Sequence, residues 1–133
     1  MRFIAMIHKD PDSAFGVQFP DVPGCFSAGE TLEEASQNAV EALGSHIRML
    51  EADGDAIPQP RSLDAIVDDE SLNEARADAI LVSVPLVRDL GSTTRINVSL
   101  DLGLLQAIDD EARSRGQTRS AFIASAVRRE LAD

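Results

Sequence analysis

The sequence predicts an α+β protein, with a small β-sheet and a packed helix in its first part and a strand with two helices in its last part. Three observations support this class. Short apolar or alternating runs stand near residues 3 and 15, a capped amphipathic helix begins near residue 31, and the last forty residues combine one alternating run with two amphipathic stretches. Alternation with a period of two is typical of a half-buried strand, whereas apolar residues three and four apart are typical of a helix.

Four strands are predicted in the first part of the chain, at residues 3–7, 14–19, 26–28 and 80–84. The first reads F-I-A-M-I, a continuous apolar run that suits a strand covered on both faces. The second alternates, with Phe15, Val17 and Phe19 on one side. The short polar stretch between these two strands is a turn by composition, so the pair is predicted to form a hairpin.

A long helix is predicted to begin at Thr31, because Glu34 follows three residues later and the two residues match a capping box. Its apolar stripe comprises Leu32, Ala35, Ala39, Leu43, Ile47 and Leu50. The D-G-D sequence at residues 53–55 is expected to end this helix. Residues 62–78 are polar and acidic with weaker periodicity, and they predict one or two short helical turns.

The last forty residues begin with a predicted strand at residues 93–100. Its apolar and polar residues alternate: Ile96, Val98 and Leu100 on one side, and Arg95, Asn97 and Ser99 on the other. Asp101 stands where a helix N-terminus favours a short acidic residue. The helix that follows has its apolar face at Leu104, Leu105, Ile108 and Ala112.

Gly116 is predicted to end that first helix. Thr118 or Ser120 can cap a second helix, whose expected core positions are Ala121, Phe122, Ala126, Val127 and Leu131. One strand and two short helices bury too little surface to close a core alone, and a lone strand leaves its backbone groups unpaired. Pairing of two chains through their strands would meet both needs.

This order resembles the ribbon-helix-helix family of DNA-binding domains, through the R-I-N-V-S-L strand, the glycine turn and the G-Q-T-R-S sequence at residues 116–120. The resemblance implies an antiparallel ribbon of two chains that enters the major groove. Ile96, Val98 and Leu100 would form the dimer core, and Arg95, Asn97 and Ser99 would contact the bases. Thr118, Arg119 and Ser120 would contact a DNA phosphate at the start of the second helix. The plainer alternative is a polar solvent face on an ordinary strand.

Three motifs in the first part resemble the HicB family, the antitoxins of HicA–HicB toxin–antitoxin pairs. They are F-P-D-V-P-G-C at residues 19–25, G-E-T-L-E-E-A at residues 29–35 and I-P-Q-P at residues 57–60. The resemblance implies a partial RNase H-like fold that binds and blocks a small, basic, RNA-cleaving toxin. The two prolines and the glycine of residues 19–25 predict a rigid bend. Asp21, Glu30 and Glu33 are predicted toxin contacts, because they are acidic and lie in or near this bend.

The predicted organisation is a toxin-binding domain at residues 1–86, a linker at residues 87–92, and a ribbon-helix-helix domain at residues 93–133. Charge divides in the same way. Residues 1–90 contain six Lys and Arg against 17 Asp and Glu, which accounts for the whole net charge of −11, and residues 91–133 contain six of each sign. The acidic part would attract a basic partner, unless its acidity serves only solubility.

Composition argues against several other functions. The sequence has no run of about 18 apolar residues that could cross a membrane and no signal pattern at its N-terminus, so we expect a cytoplasmic protein. Cys25 is the single cysteine, expected to be a buried small hydrophobe rather than a nucleophile. The middle of the first strand lacks the carboxylate that two-metal nucleases of this fold need. We therefore expect no enzyme activity, no cofactor and no metal.

The predicted function is that of an antitoxin with two partners besides itself. It would neutralise a HicA-like toxin and, as a homodimer, bind operator DNA to repress its own operon. Whether two dimers join into a tetramer is left open by the sequence. The first alternative is a stand-alone ribbon-helix-helix repressor with a ligand- or protein-sensing first domain, and the second is a metal-dependent nuclease.

Overall fold

The computed structural model describes residues 1–88 and 90–132, so Asp89, in the predicted linker, and Asp133, in the predicted last domain, lie outside the described residues. The chain divides into two compact units: the first comprises Met1–Leu90 and also Ala132, and the second comprises Gly91–Leu131. Helices and antiparallel strands both contribute, and the predicted α+β class is confirmed.

The first unit is built on a four-stranded antiparallel sheet with the order β3-β2-β1-β4. The strands are β1 (Arg2–Lys9), β2 (Phe15–Gln18), β3 (Phe26–Gly29) and β4 (Ile80–Pro85). All four predicted strands are therefore present, with ends that shift by one or two residues. Phe3 through Ile7 are all buried, which confirms that the F-I-A-M-I strand is covered on both faces.

Helix α1 (Leu32–Ala52) packs on one face of this sheet. Thr31 caps it, since its Oγ1 accepts the Glu34 N–H at 3.0 Å. The predicted stripe is buried at Ala35, Ala39, Leu43 and Ile47. The prediction is wrong at Leu32, which is 40% exposed. The strand-to-helix turn instead packs β3 against the helix one turn later, where a Cβ on Gly29 would come within 2.3 Å of the Ala35 nitrogen.

The acidic segment after α1 is helical as predicted, but it contains three short elements where one or two turns were expected: α2 (Leu63–Asp68), a 3₁₀ turn at Glu70–Leu72, and α3 (Asn73–Arg76). Ile66 of α2 is fully buried. The imidazole Nε2 of His8 donates to the Ala75 carbonyl, which joins the end of this segment to the end of β1. His8 therefore has a structural hydrogen bond within the first unit.

The chain leaving β4 runs directly over α1. A Cβ on Gly44 would lie 2.4 Å from the Val87 carbonyl oxygen, so no larger residue fits there without a shift of backbone. Leu86 is also held, because its N–H donates to the Met1 carbonyl at 2.9 Å. The backbone at Val87 thus lies so close to α1 that the fold requires a glycine at residue 44.

The second unit contains α4 (Leu102–Ser114) and α5 (Arg119–Ala132). Residues 93–100, predicted as a strand, are neither helix nor strand in the single chain. The physical reason is that a strand exists only when its N–H and C=O groups pair with a neighbour. Among the described helices none is both long and apolar enough to cross a membrane.

Candidate functional site

The segment before α4 exposes apolar and polar side chains in strict alternation. Ile96 is 73% exposed, Val98 65% and Leu100 39%, and Arg95, Asn97 and Ser99 are exposed as well. Exposed large aliphatic residues in a row are unusual on a monomer surface and mark a surface for a partner. The three predicted dimer-core residues are therefore all uncovered in the single chain.

The two helices that follow are set by local capping. The Asp101 carboxylate accepts the N–H groups of Gly103 and Leu104 at 3.0 and 3.3 Å, which confirms its predicted role at the start of α4. At the other end, Gly116 has a φ of +66°. Gln117 N–H donates to the Ala112 carbonyl and Gly116 N–H to the Arg113 carbonyl, the two bonds of a Schellman motif.

Helix α5 is capped by Thr118 rather than by Ser120. Thr118 Oγ1 accepts the Ala121 N–H at 3.1 Å. The first N–H groups of any helix lack intrahelical partners, so those of Arg119 and Ser120 remain at the helix start, where an anion would be favoured by the helix dipole. The three predicted phosphate-contacting residues thus stand together at one helix terminus.

Arg119 has a partner within the unit that the sequence did not predict. Its Nε and Nη2 donate to the two oxygens of Asp109 on α4, at 2.8 and 2.9 Å. This bidentate bond lowers the pKa of Asp109 and raises that of Arg119. Arg119 is exposed and Asp109 is half-buried, so the pair orients the guanidinium more than it stabilises the fold.

The predicted apolar faces of α4 and α5 are only partly covered. Ala112 is buried, and Leu105, Ile108 and Phe122 are half-buried. The predicted core positions Leu104 and Val127, each 52% exposed, and Leu131, 39% exposed, are open, as are Ala121 and Ala126. A single copy of this unit therefore leaves these side chains exposed, because a unit this small buries little surface.

The three predicted toxin-contacting residues occupy different environments. Glu30 and Glu33 are exposed at the start of α1, where Gln37 Nε2 donates to Glu33 at 3.3 Å. Asp21 has a side chain only 8% exposed. Its two oxygens accept the backbone N–H and the Nε of Arg61, each at 2.7 Å. The Asp21 carboxylate therefore stabilises the proline-rich bend at residues 19–25.

Sequence reasoning missed Arg61. This residue follows the I-P-Q-P stretch and connects Asp21 with Asp69, which accepts from Arg61 Nη1 at 2.8 Å. The hydrogen bonds to Asp69 and Asp21 raise the pKa of Arg61. The bond from Arg61 to Asp69, together with bonds from Ser71, lowers the pKa of Asp69 to about 2. No local pattern could have indicated these pairs, since Arg61 and Asp21 are 40 residues apart in sequence.

The remaining chemical candidates have structural roles. Cys25 is 2% exposed, and burial raises the pKa of its thiol to about 11, so it is protonated near neutral pH. This confirms the expected role of a buried small hydrophobe. Over residues 1–88 and 90–132, no cluster of three or more His, Cys, Asp or Glu side chains could hold a metal ion.

Comparison with known proteins gives a consistent family. The sequence model of the HicB-like antitoxins of bacterial toxin–antitoxin systems matches residues 3–127. An uncharacterised 14.9 kDa protein from the rep-hol intergenic region of Haemophilus phage HP1 is 34% identical over 109 residues, which span 82% of this chain and 80% of that protein.

Two solved antitoxin structures match nearly the whole chain, and a third structure matches about two thirds of it. The antitoxin HicB of Burkholderia pseudomallei is 33% identical with a TM-score of 0.56, and 98% of each chain is covered. The antitoxin HicB3 is 32% identical with a TM-score of 0.54 over 98% of both chains. A chain from the HicA3–HicB3 toxin–antitoxin complex is 34% identical with a TM-score of 0.55, and the match covers 65% of this chain and 99% of that one.

Proposed function

This chain belongs to the HicB-like antitoxin family of bacterial toxin–antitoxin systems, and from that membership we propose that it binds and neutralises a HicA-like toxin through its first unit. A solved toxin–antitoxin complex of HicA3 and HicB3 contains a chain that is similar to 65% of this protein. The strong negative charge of residues 1–90 supports the same partner, because it favours association with a basic protein. A partial RNase H-like fold for this unit, as the resemblance implies, is part of the proposal.

The second unit has a separate role in this proposal, namely operator binding as a ribbon-helix-helix dimer. The observation that carries it is the alternation of exposed residues at 95–100 directly before two capped helices. Pairing two such segments would bury Ile96, Val98 and Leu100 and present Arg95, Asn97 and Ser99 to base edges. The backbone at the start of α5, with Thr118, Arg119 and Ser120, would hold a phosphate and set the position of the ribbon.

One experiment tests both roles. The full chain is co-expressed with the product of the neighbouring gene, the complex is purified, and RNA cleavage by that product is measured with and without the chain. The same preparation is tested for a mobility shift of its own promoter DNA at a fixed salt concentration, because affinity for DNA depends steeply on salt.

The outcomes separate the alternatives. A stable complex in which cleavage is suppressed and promoter DNA is bound supports the whole proposal. Promoter binding without toxin binding would leave a stand-alone repressor. Cleavage by this chain alone, dependent on magnesium or manganese, would replace the proposal by a nuclease.

A further inference from the structure

The two halves of the sheet differ in how their outer face is covered. Strand register places Met6, Gln18 and Phe26 side by side on the face opposite α1, with His8, Gly16 and Ala28 as the next row. Burial falls steeply across this face. Met6 on β1 is 2% exposed, whereas Phe26 on β3 is 68% exposed.

The uncovered half forms an open surface, which we call the β2–β3 shelf and define by Gly16, Gln18, Phe26 and Ala28; of these four residues only Gln18 is polar. Ala28 is exposed, and a Cβ added to Gly16 would meet no atom within 4 Å. The space above Gly16 is therefore open, and no neighbour within the fold requires a glycine there. Phe26 presents a large exposed aromatic side chain beside this open space, and phenylalanine is enriched at protein–protein interfaces.

The edge of the sheet at β3 is closed to a further strand at one position. Asn38 Nδ2 of α1 donates to the Ala28 carbonyl at 2.8 Å, so this carbonyl already has a hydrogen-bond partner. An incoming strand would have to displace that bond. A partner would thus contact the face of the shelf with side chains instead of extending the sheet.

Charge at one end of the shelf indicates what kind of partner fits. Asp10 and Asp12 lie in the β1–β2 turn, next to the Gly16 end of β2, and Glu30 follows directly after β3 at the same end. All three carboxylates are exposed. They belong to a unit that contains 17 acidic and six basic residues.

We propose that the β2–β3 shelf is the docking surface for the toxin, with Phe26 as its apolar anchor. The toxin would seat an apolar side chain over Gly16 and place basic side chains against Asp10, Asp12 and Glu30. This inference rests on the proposed toxin-binding function and names the surface that performs it. Gly16 is a specificity-determining position, because any side chain there occupies the space that the toxin needs.

The open space over Gly16 permits a sharp test. Gly16→Val adds volume to the shelf at a place where the fold has room, and valine is favoured over glycine in a strand. Phe26→Ser removes the anchor. Met49→Gln is the matched control, since Met49 is 50% exposed on α1, outside the shelf. Each full-length variant is titrated against the purified toxin by calorimetry and by inhibition of RNA cleavage.

We expect both shelf variants to bind the toxin at least about tenfold more weakly than wild type, and Met49→Gln to bind within about twofold of wild type. Gly16→Val should keep or raise the melting temperature and should still shift promoter DNA. If Phe26→Ser fails to fold, Gly16→Val decides alone.

Two results would overturn the assignment in different ways. If Gly16→Val binds the toxin as tightly as wild type does, the shelf is not the docking surface, and the proposed antitoxin function still stands. Wild type that does not bind the toxin at all would remove the proposed function, and the shelf proposal with it.

Discussion

Arg61 holds both carboxylate oxygens of Asp21, one through its backbone N–H and one through its Nε, each at 2.7 Å. The bond connects the proline-rich bend before β3 with the start of the acidic segment before α2. Asp21 is almost covered, whereas Arg61 remains 39% exposed at its side chain.

Arg61→Ala should therefore destabilise the first unit. It leaves a nearly buried carboxylate without its charged donor, and the cost of such a loss is about 1–3 kcal/mol. The measurement is urea unfolding of the full chain followed by circular dichroism. Arg88→Ala is the control, because the Arg88–Glu51 pair is long, 3.4 Å, and exposed on both sides, so its loss should cost less than about 1 kcal/mol. Equal effects of the two substitutions would contradict this role of Arg61.

Asp69 should make stability depend on acid pH. Hydrogen bonds from Arg61 and Ser71 lower its pKa from 3.8 to about 2 in the folded chain. A group with a depressed folded pKa stabilises the fold above its unfolded pKa and loses this effect as pH falls through the folded value. Asp69→Asn should thus lower the melting temperature, and the difference in melting temperature from wild type should be largest above about pH 4. This difference should shrink as the pH falls toward 2. A gap that is constant from pH 6 to pH 2 would show that the charge of Asp69 is irrelevant.

Gly44→Ala should destabilise the first unit although alanine is the better helix former. The added Cβ would lie 2.4 Å from the Val87 carbonyl oxygen, a backbone atom that cannot swing aside. Such overpacking costs about 1–3 kcal/mol, against a gain in helix propensity of up to about 1 kcal/mol. Gly16→Ala adds the same atom over open space and should leave the urea midpoint unchanged or raised. A Gly44→Ala protein as stable as wild type would show that the chain after β4 can move.

If the proposed ribbon dimer forms, Ile96→Asp should convert it into a monomer. Ile96 is 73% exposed in the single chain, so the substitution harms only an interface, where it would bury a charge. Sedimentation equilibrium gives the mass directly. Ser99→Asp introduces the same charge on the polar side of the alternation and should remain dimeric. A dimeric Ile96→Asp protein would place dimerisation elsewhere in the chain.

Arg95→Ala should weaken operator binding by about 1–3 kcal/mol and leave toxin binding unchanged. Arg95 is exposed at the start of the alternating segment, where arginine can donate to a guanine edge. Fluorescence anisotropy with operator and unrelated DNA at one salt concentration separates a loss of specificity from a general loss of affinity. Arg128→Ala, late in α5, is the control and should change operator affinity by less than twofold. Parallel losses of DNA and toxin binding would show that the two units do not divide the work.

Where local chemistry decides the structure, prediction from sequence succeeded. Thr31 and Asp101 cap their helices, Gly116 ends α4, and Cys25 is buried. Each depends on neighbours a few residues away, or on the periodicity of one element. The prediction that residues 93–100 form a strand stays a prediction, since a second chain would have to supply the pairing.

The sequence by itself determined the α+β class, the strands of the first unit, the three long helices and the division of charge, because periodicity and capping act over a few residues. Only the tertiary structure decided which residues far apart in sequence meet and which part of the sheet stays uncovered. It assigned Asp21 to Arg61, placed Val87 over Gly44, and left Phe26 and the space above Gly16 open. The physical reason is that burial and pairing depend on strand register and on contacts between residues far apart in sequence.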